Sequence, residues 1–225
     1  MLVRRRSPRH FTQTLILAAG IALGATALSL GASSPTVGTA RGCYLVRQPV
    51  RLHGSGFAPL RTYVLSIDGV YFGQDTTDAN GTLAPRSILP GGLPAGHAQA
   101  VEHVGVSDGT SSAETRFTLT RHAGARFMAI SGTGTTLKAP VELWGYSLSG
   151  RRRKVYLHYI DPSGHARRSI GLGRTGGQCG YLRTSEISIF PFTPSPGTWT
   201  FQIDLKPHYS RHPGRPVNRI TVAVH

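Results

Sequence analysis

Short runs of alternating apolar and polar residues, separated by turn residues, make up most of the chain after residue 44. Tyr63–Ile67 is one such run, and Asp68-Gly69 closes it before another apolar run begins at Val70. Asp-Gly between two alternating runs is a strong hairpin signal, because both residues tolerate positive φ. No window of helix length shows the 3.6-residue period of an amphipathic helix. The pattern therefore predicts an all-β fold, a sandwich or a barrel.

The predicted strands fall into two groups, separated by a turn-rich junction at Thr120–Ala125. We therefore expect two tandem β-sandwich domains, residues 41–120 and 121–225, behind an N-terminal segment of residues 1–40. The strands predicted in the first group are Val50–His53, Tyr63–Ile67, Val70–Phe72, His97–Val106 and Glu114–Thr120. Those predicted in the second group are Phe127–Ser131, Val141–Tyr146, Val155–Ile160, Arg168–Leu172, Ile187–Phe190, Trp199–Leu205 and Ile220–Val224.

The N-terminal segment has the composition of an export signal. Arg4-Arg5-Arg6 precedes an apolar run from Leu15 to Leu30, and small residues follow. Ala25-Thr26-Ala27 and Gly38-Thr39-Ala40 both fit the small-x-small cleavage rule. As a helix the run is about 24 Å long, slightly short of the roughly 30 Å hydrocarbon core. A cleaved signal peptide and a retained signal-anchor helix both stay open, and either makes the protein extracytoplasmic, secreted or anchored to the plasma membrane.

Four motifs in residues 48–120 consist of turn and strand residues in a distinctive order. They are Gly54–Pro59 (Gly-Ser-Gly-Phe-Ala-Pro), Thr77–Thr82 (Thr-Asp-Ala-Asn-Gly-Thr), Pro94–His97 and Ser112–Thr120. With these motifs, the segment resembles the Ig-like modules repeated in many secreted bacterial proteins. The resemblance covers about a third of the chain and implies an Ig-like β-sandwich. Its motifs are structural, so it implies no particular activity.

Residues 125–225 look like a companion module of similar secreted proteins. Tyr156–Tyr159, Cys179-Gly180 and Gly197–Trp199 carry this similarity. It implies a second β-sandwich and brings no known activity with it.

Charge distinguishes the two predicted domains. The whole chain has a net charge of +15. Residues 41–120 hold six Arg and six acidic residues, whereas residues 121–225 hold fifteen Lys and Arg and four acidic residues. The basic run 151–154 precedes a predicted strand, so we expect it at a loop tip. The residues predicted to contact a polyanion are Arg151, Arg152, Arg153, Lys154, Arg167 and Arg168. Arg174 and the tail residues Arg211, Arg215 and Arg219 could extend the same cationic face.

Export limits the partners that this basic surface would meet. Outside the cytoplasm the available polyanions are cell-envelope polymers and anionic membrane surfaces. No nucleic acid is expected, because that partner would also need export and the aromatic residues that stack bases in single-strand binders are missing. The alternative is a solvated Arg-rich surface that binds no ligand.

Cys43 and Cys179 are the two cysteines of the chain. In an oxidising compartment they are a disulfide candidate that would close a loop of about 135 residues. Two unpaired thiols and intermolecular pairing are the alternatives. No Cys-x-x-Cys motif is present, which disfavours zinc and thioredoxin-like chemistry. We expect no metal and no cofactor.

No catalytic motif is complete. His158, Asp161 and His165 lie close in sequence, but a Pro turn is expected to point the first two apart. Gly145–Ser149 begins like a nucleophile elbow but lacks its closing glycine and its helix. We therefore expect that the protein is not an enzyme but an extracytoplasmic binding or spacer module of the envelope. One alternative is a protein-interaction module of a membrane-anchored assembly, and another is an unrecognised extracellular hydrolase, which a Ser beside His158 would favour.

Overall fold

A computed structural model of the protein describes residues 34–225. The proposed targeting helix and the cleavage site at Ala25-Thr26-Ala27 lie outside the described residues, and Gly38-Thr39-Ala40 begins inside a strand. The described part forms strands and loops with one 3-10 turn at Gly134–Thr136, so the all-β prediction is confirmed. Within residues 34–225 no helix has the length and apolar character needed to cross a membrane.

Eight strands make up the first half of the described chain, residues 34–120. They are β1 (Thr36–Thr39), β2 (Cys43–Leu45), β3 (Val50–Ser55), β4 (Thr62–Ile67), β5 (Val70–Thr76), β6 (Arg86–Ile88), β7 (Gln99–Ser107) and β8 (Ser112–Thr120). One sheet has the order β1-β3-β6 and the other the order β2-β8-β7-β4-β5. The pairs are antiparallel except β2 with β8.

The two sheets of the first half pack over one buried cluster. In β3 the residues alternate between buried and exposed, so that Val50 and Leu52 point to the core while Arg51 and His53 do not. Leu65, Val104 and Phe117 reach the same cluster from the five-stranded sheet. The period-2 alternation that predicted these strands thus reflects a sandwich with one buried face per sheet.

The turn between β4 and β5 has the geometry that Asp-Gly predicts. Asp68 and Gly69 both have positive φ, 49° and 77°. Two successive residues of this kind match the right-handed twist of a tight hairpin. The Asp68 carboxylate also accepts the His103 backbone N–H at 2.9 Å, which ties the hairpin to β7. The predicted hairpin is therefore confirmed.

Seven strands make up the second half, residues 121–225. They are β9 (Gly124–Phe127), β10 (Lys138–Trp144), β11 (Lys154–Ile160), β12 (Ala166–Arg174), β13 (Leu182–Ser188), β14 (Gly197–Asp204) and β15 (Asn218–Val224). Their sheets have the orders β13-β10-β9 and β12-β11-β14-β15. A second buried cluster, rich in aromatic residues, lies between them and includes Tyr159, Trp199 and Phe201. β8 ends and β9 begins within the predicted junction Thr120–Ala125.

Several short strands differ from the prediction. β1, β2, β6 and most of β9 were not predicted, because they hold only three or four residues, too few to show an alternating pattern. β13 covers Leu182–Ser188, whereas the pattern predicted Ile187–Phe190. Phe190 lies instead in a loop against Trp199, at a ring distance of 5.4 Å. An apolar aromatic can fill a core from a loop, so its presence alone does not identify a strand.

Asp108 organises the turn between β7 and β8. Its carboxylate accepts hydrogen bonds from the backbone N–H groups of Ala58, Thr110 and Ser111, at 2.7–2.9 Å, and from the Thr110 and Ser111 hydroxyls. The Ala58 bond joins segments that are 50 residues apart. These donors, the Ala58 N–H first, hold the pKa of Asp108 well below its ordinary value.

We expect Asp108→Asn to unfold more easily than the wild type at pH 7, since an amide NH2 would face hydrogen-bond donors. The lowered pKa stabilises the fold above the ordinary Asp pKa of about 3.9, and this contribution is lost as the pH falls towards the folded-state pKa. The gap between the two proteins in urea unfolding should therefore narrow between pH 7 and pH 2.5. Glu114→Gln, at an exposed carboxylate, is the control. A gap that is the same at both pH values would contradict the assignment.

Candidate functional site

Five exposed cations cluster at one end of the hairpin formed by β11 and β12. Lys154 and Arg174 are direct cross-strand partners there. Arg153 donates its N–H to Thr175 Oγ1 at 2.9 Å, and Thr175 donates its N–H to the Arg153 carbonyl at 2.8 Å. None of these cations forms an ion pair within residues 34–225. We call this group the basic end, and its members are Arg151, Arg152, Arg153, Lys154 and Arg174.

Arg167 and Arg168, the other two residues of the predicted polyanion site, lie at the opposite end of the same hairpin. Arg168 is the cross-strand partner of Tyr159. Tyr159 and Lys154 are five positions apart, which corresponds to about 17 Å along a strand. Arg168 also donates to the Pro191 carbonyl at 3.1 Å. The structure therefore brings the run 151–154 together with Arg174, and not with Arg167 and Arg168.

The segment 175–181, which we call the linking turn, connects the basic end to the first half of the chain. It carries Cys179, which the structure joins to Cys43 in a disulfide with a Cα–Cα distance of 5.3 Å. Both cysteines are almost completely buried. Gly180 has a positive φ of 66°, and a Cβ at this position would collide with the backbone of Tyr146 and Ser147. The linking turn is thus fixed at both its disulfide and its glycine.

A cleft of about 590 Å³ lies between the start of β7 and the outer face of the sheet β13-β10-β9. Residues 95–99 of the first half form one wall. The polar side chains of the other wall come from Arg126, Glu142, Tyr181 and Arg183. The volume is within the range of about 300–1,000 Å³ that is usual for small-ligand sites.

Two guanidinium groups flank one carboxylate in this cleft. Glu142 on β10 is the cross-strand partner of Arg126 on β9 and of Arg183 on β13. The Glu142 carboxylate pairs with Arg126 Nε and accepts the Tyr181 hydroxyl at 2.9 Å. Burial, and then the hydrogen bond to Glu142, raises the pKa of Tyr181, which keeps its hydroxyl a donor. The cross-strand row of Arg126, Glu142 and Arg183 holds two cations and one carboxylate, so it has one positive charge in excess.

A buried polar network lies on the outer face of the four-stranded sheet. His158, Gln202 and Asp204 are at most 1% exposed. Asp204 accepts the Lys206 N–H at 2.7 Å and the Gln202 side-chain amide at 2.8 Å, and Gln202 also donates to the Ser210 carbonyl. These bonds satisfy the buried polar groups. They also attach the loop of residues 205–217 to the sheet.

His158 lies between a serine and a carboxylate. Its Nδ1 is 2.6 Å from Ser169 Oγ, and its Nε2 is 3.3 Å from Asp204 Oδ1. Ser169, His158 and Gln202 form one cross-strand row. Ser169 is exposed, since it lies on the edge strand β12. The Asp161 carboxylate has a different partner, the His165 N–H at 2.8 Å.

The pairing of Ser169 and Asp204 with His158 was missed by sequence reasoning. The three residues span 46 positions, and they meet because β11 lies between β12 and β14. The period-2 pattern of β11 does place His158 on the face opposite Leu157 and Tyr159, but it contains no information about the neighbouring strands. In the part of the chain that the structure describes, no group of three His, Cys, Asp or Glu residues is placed to hold a metal ion.

No protein-family model and no curated protein sequence matches this chain. The human OSCAR ligand-binding domain is 10% identical, over 85% of this chain and 98% of its own, with a TM-score of 0.33. A tetra-tandem repeat from the extending region of a large adhesion protein is 14% identical, with a TM-score of 0.28. The match covers 85% of this chain and 49% of that structure, so this chain spans about half the length of the adhesion-protein repeat. Identities and TM-scores this low carry no argument about function.

Proposed function

We propose that the protein is a non-enzymatic, extracytoplasmic binding module whose basic end holds an anionic polymer of the cell envelope. Its two β-sandwich domains, residues 41–120 and 121–225, follow the Ig-like resemblance of the sequence. Export rests on the basic and apolar composition of residues 1–40 and on the Cys43–Cys179 disulfide, since disulfides persist in oxidising compartments.

The basic end is the observation that carries this proposal. Its five cations are exposed. The hydrogen bonds between Arg153 and Thr175 position Arg153, and the register of β11 with β12 places Lys154 beside Arg174. Like charges held this close repel one another, and a polyanion relieves that repulsion while it releases its own counterions. Lys154 also lies over the Tyr156 ring, at 5.3 Å from the ring centre, which restricts the position of its ammonium group.

Co-sedimentation with purified cell walls tests the proposal. We expect the wild-type protein to bind at 50 mM salt and to dissociate as the salt concentration rises towards about 200 mM, as charge-driven polymer binding does. Removing two cations at the basic end, in Arg151→Ala/Arg152→Ala, should weaken binding roughly 30-fold, because each basic residue near an anionic surface contributes about 1 kcal/mol.

The matched control removes the same charge from the other end of the hairpin. Arg167→Ala/Arg168→Ala should bind walls within about twofold of the wild type. Equal losses in both double variants would mean that net charge, and not the basic end, causes retention. Retention on vesicles of anionic lipid but not on walls would replace the polymer with a membrane surface. Salt-resistant capture of one stoichiometric envelope protein would favour a protein-interaction module.

A second candidate function, an extracellular hydrolase, is favoured by one observation. Ser169 Oγ, the His158 ring and the Asp204 carboxylate form a hydrogen-bonded chain, the combination that activates a serine nucleophile. The geometry also has a structural explanation, because Asp204 and Gln202 hold the loop 205–217 through bonds to the Lys206 N–H and the Ser210 carbonyl. His158 is completely buried, so Ser169 is the member of the chain that a substrate would meet.

We expect Ser169 to be unreactive towards an alkyl fluorophosphonate, because the network has a structural role. Intact mass spectrometry after incubation would measure the covalent adduct. The exposed Ser149 serves as an internal comparison, since it has no imidazole partner among the hydrogen bonds described. A stoichiometric adduct that is absent in Ser169→Ala would establish the hydrolase instead.

A further inference from the structure

The cleft at residues 95–99 contains an arginine whose position is set by its neighbours. Arg126 is held by its ion pair with Glu142, and its guanidinium carbon lies 5.8 Å from the centre of the Trp144 ring. Its terminal nitrogens make only long contacts to the Gly96 carbonyl, at 3.4 and 3.5 Å. A guanidinium fixed through Nε, with its terminal nitrogens weakly engaged, loses little side-chain entropy when it binds a ligand.

Arg183 supplies the unpaired charge of the cleft. It is exposed, and it is absent from the ion pairs of residues 34–225. Its cross-strand partner Glu142 already pairs with Arg126 and Tyr181. The fork of a guanidinium group fits the two oxygens of a carboxylate or a phosphate. The cleft is therefore lined by two guanidinium groups, one on either side of Glu142, that are available to an anionic group.

We propose that this cleft binds the acidic group, carboxylate or phosphate, of one sugar unit of the polymer, with Arg126 and Arg183 as its ligands. The inference rests on the proposed function and names the chemistry of the bound unit. His97 and Gln99 line the same cleft and supply further polar groups.

The linking turn joins this cleft to the basic end. Thr175, at its start, exchanges two hydrogen bonds with Arg153. Tyr181, at its end, pairs through its backbone with Gly176, at 2.7 and 2.8 Å, and donates its hydroxyl to Glu142. The disulfide at Cys179 anchors the turn between these two points. One short segment, anchored by the disulfide, thus connects the two cationic sites.

Isothermal titration of the full protein with three matched sugars tests the cleft. Glucose has no acidic group, glucuronate has a carboxylate and glucose 6-phosphate has a phosphate on a similar ring. We expect saturable 1:1 binding of glucuronate, of glucose 6-phosphate or of both, and none of glucose. The acid that binds more tightly identifies the acidic group. Absence of saturable binding by either acidic sugar would overturn the proposal, and so would equal binding of glucose.

Two variants assign the binding to the cleft. Arg183→Gln should lower the affinity for the acidic sugar about tenfold, the effect of losing about 1.4 kcal/mol. Glu142→Gln should raise the affinity severalfold, because it removes the competing carboxylate while the amide keeps the shape of the side chain. Arg167→Gln removes the same charge outside the cleft and should change the affinity less than twofold. An unchanged affinity in both Arg183→Gln and Glu142→Gln would refute the assignment.

The outcome is independent of the wall-binding test. Arg151→Ala/Arg152→Ala should bind the acidic sugar as the wild type does, whereas its binding to cell walls should weaken. If walls retain the protein but no acidic sugar binds, the cleft proposal fails and the function of the basic end stands. If the acidic sugar binds but walls do not retain the protein, the polymer proposal fails instead.

Discussion

Replacement of both Cys43 and Cys179 by Ala is expected to lower the free energy of unfolding by about 5 kcal/mol. The disulfide closes a loop with a sequence separation of 136 residues, and the chain-entropy model assigns about 5 kcal/mol to a loop of this length. For a protein of this size the loss corresponds to a fall in Tm of roughly 10–20 °C. Because the linking turn depends on the bond, binding to walls should weaken as well.

Reduction of the wild type provides the matched control. A reductant should lower the Tm of the wild type to that of Cys43→Ala/Cys179→Ala, and should leave the Tm of the double variant unchanged. Differential scanning calorimetry measures both. A double variant that unfolds within about 1 kcal/mol of the wild type would show that the bond does not constrain the unfolded chain.

Truncation of Phe201 to Ala is expected to cost about 3–5 kcal/mol, the usual cost of removing a buried aromatic ring. Phe201 is completely buried in β14. Its ring contacts Tyr159 at 5.0 Å, Phe190 at 5.1 Å and Phe127 at 5.7 Å, so that the truncation leaves a cavity among three aromatic neighbours. Edge-to-face pairs of this kind add stability beyond the area that they bury.

Urea unfolding followed by tryptophan fluorescence measures the effect, because Trp199 packs on Phe190 in the same cluster. Phe201→Leu should cost clearly less, since it refills part of the cavity. Tyr71→Ala removes an aromatic ring that is 64% exposed and should change the stability by less than about 0.5 kcal/mol. Equal effects at positions 71 and 201 would contradict the central place of Phe201 in the core.

The basic end shows how much of a site a local sequence pattern can predict. The run 151–154 was identified as basic and as preceding a strand, and the structure places it at the exposed end of the hairpin. Arg174 belongs to the same group through the register of β11 with β12, which depends on the bulges of that hairpin. Arg167 and Arg168 lie at the opposite end for the same reason. The distribution of charge along the chain contains no information about strand register. It therefore grouped residues that lie at opposite ends of the hairpin.

What the sequence determined by itself is the local structure. Alternation with a period of two residues places Val50 and Leu52, or Leu157 and Tyr159, on one face of a strand. Asp68-Gly69 determines a tight turn because its backbone conformation is available to those two residues. These are properties of neighbouring residues, and hence an all-β fold with its main hairpin was predictable.

Only the tertiary structure decided which distant residues meet. The row of Arg126, Glu142 and Arg183 exists because β10 lies between β9 and β13, and the contacts of His158 exist because β11 lies between β12 and β14. Strand order results from the packing of whole sheets over two cores, which sums many weak contacts that no local segment contains. The sequence thus determined that there are strands and turns, and the order of the strands in the sheets determined the sites.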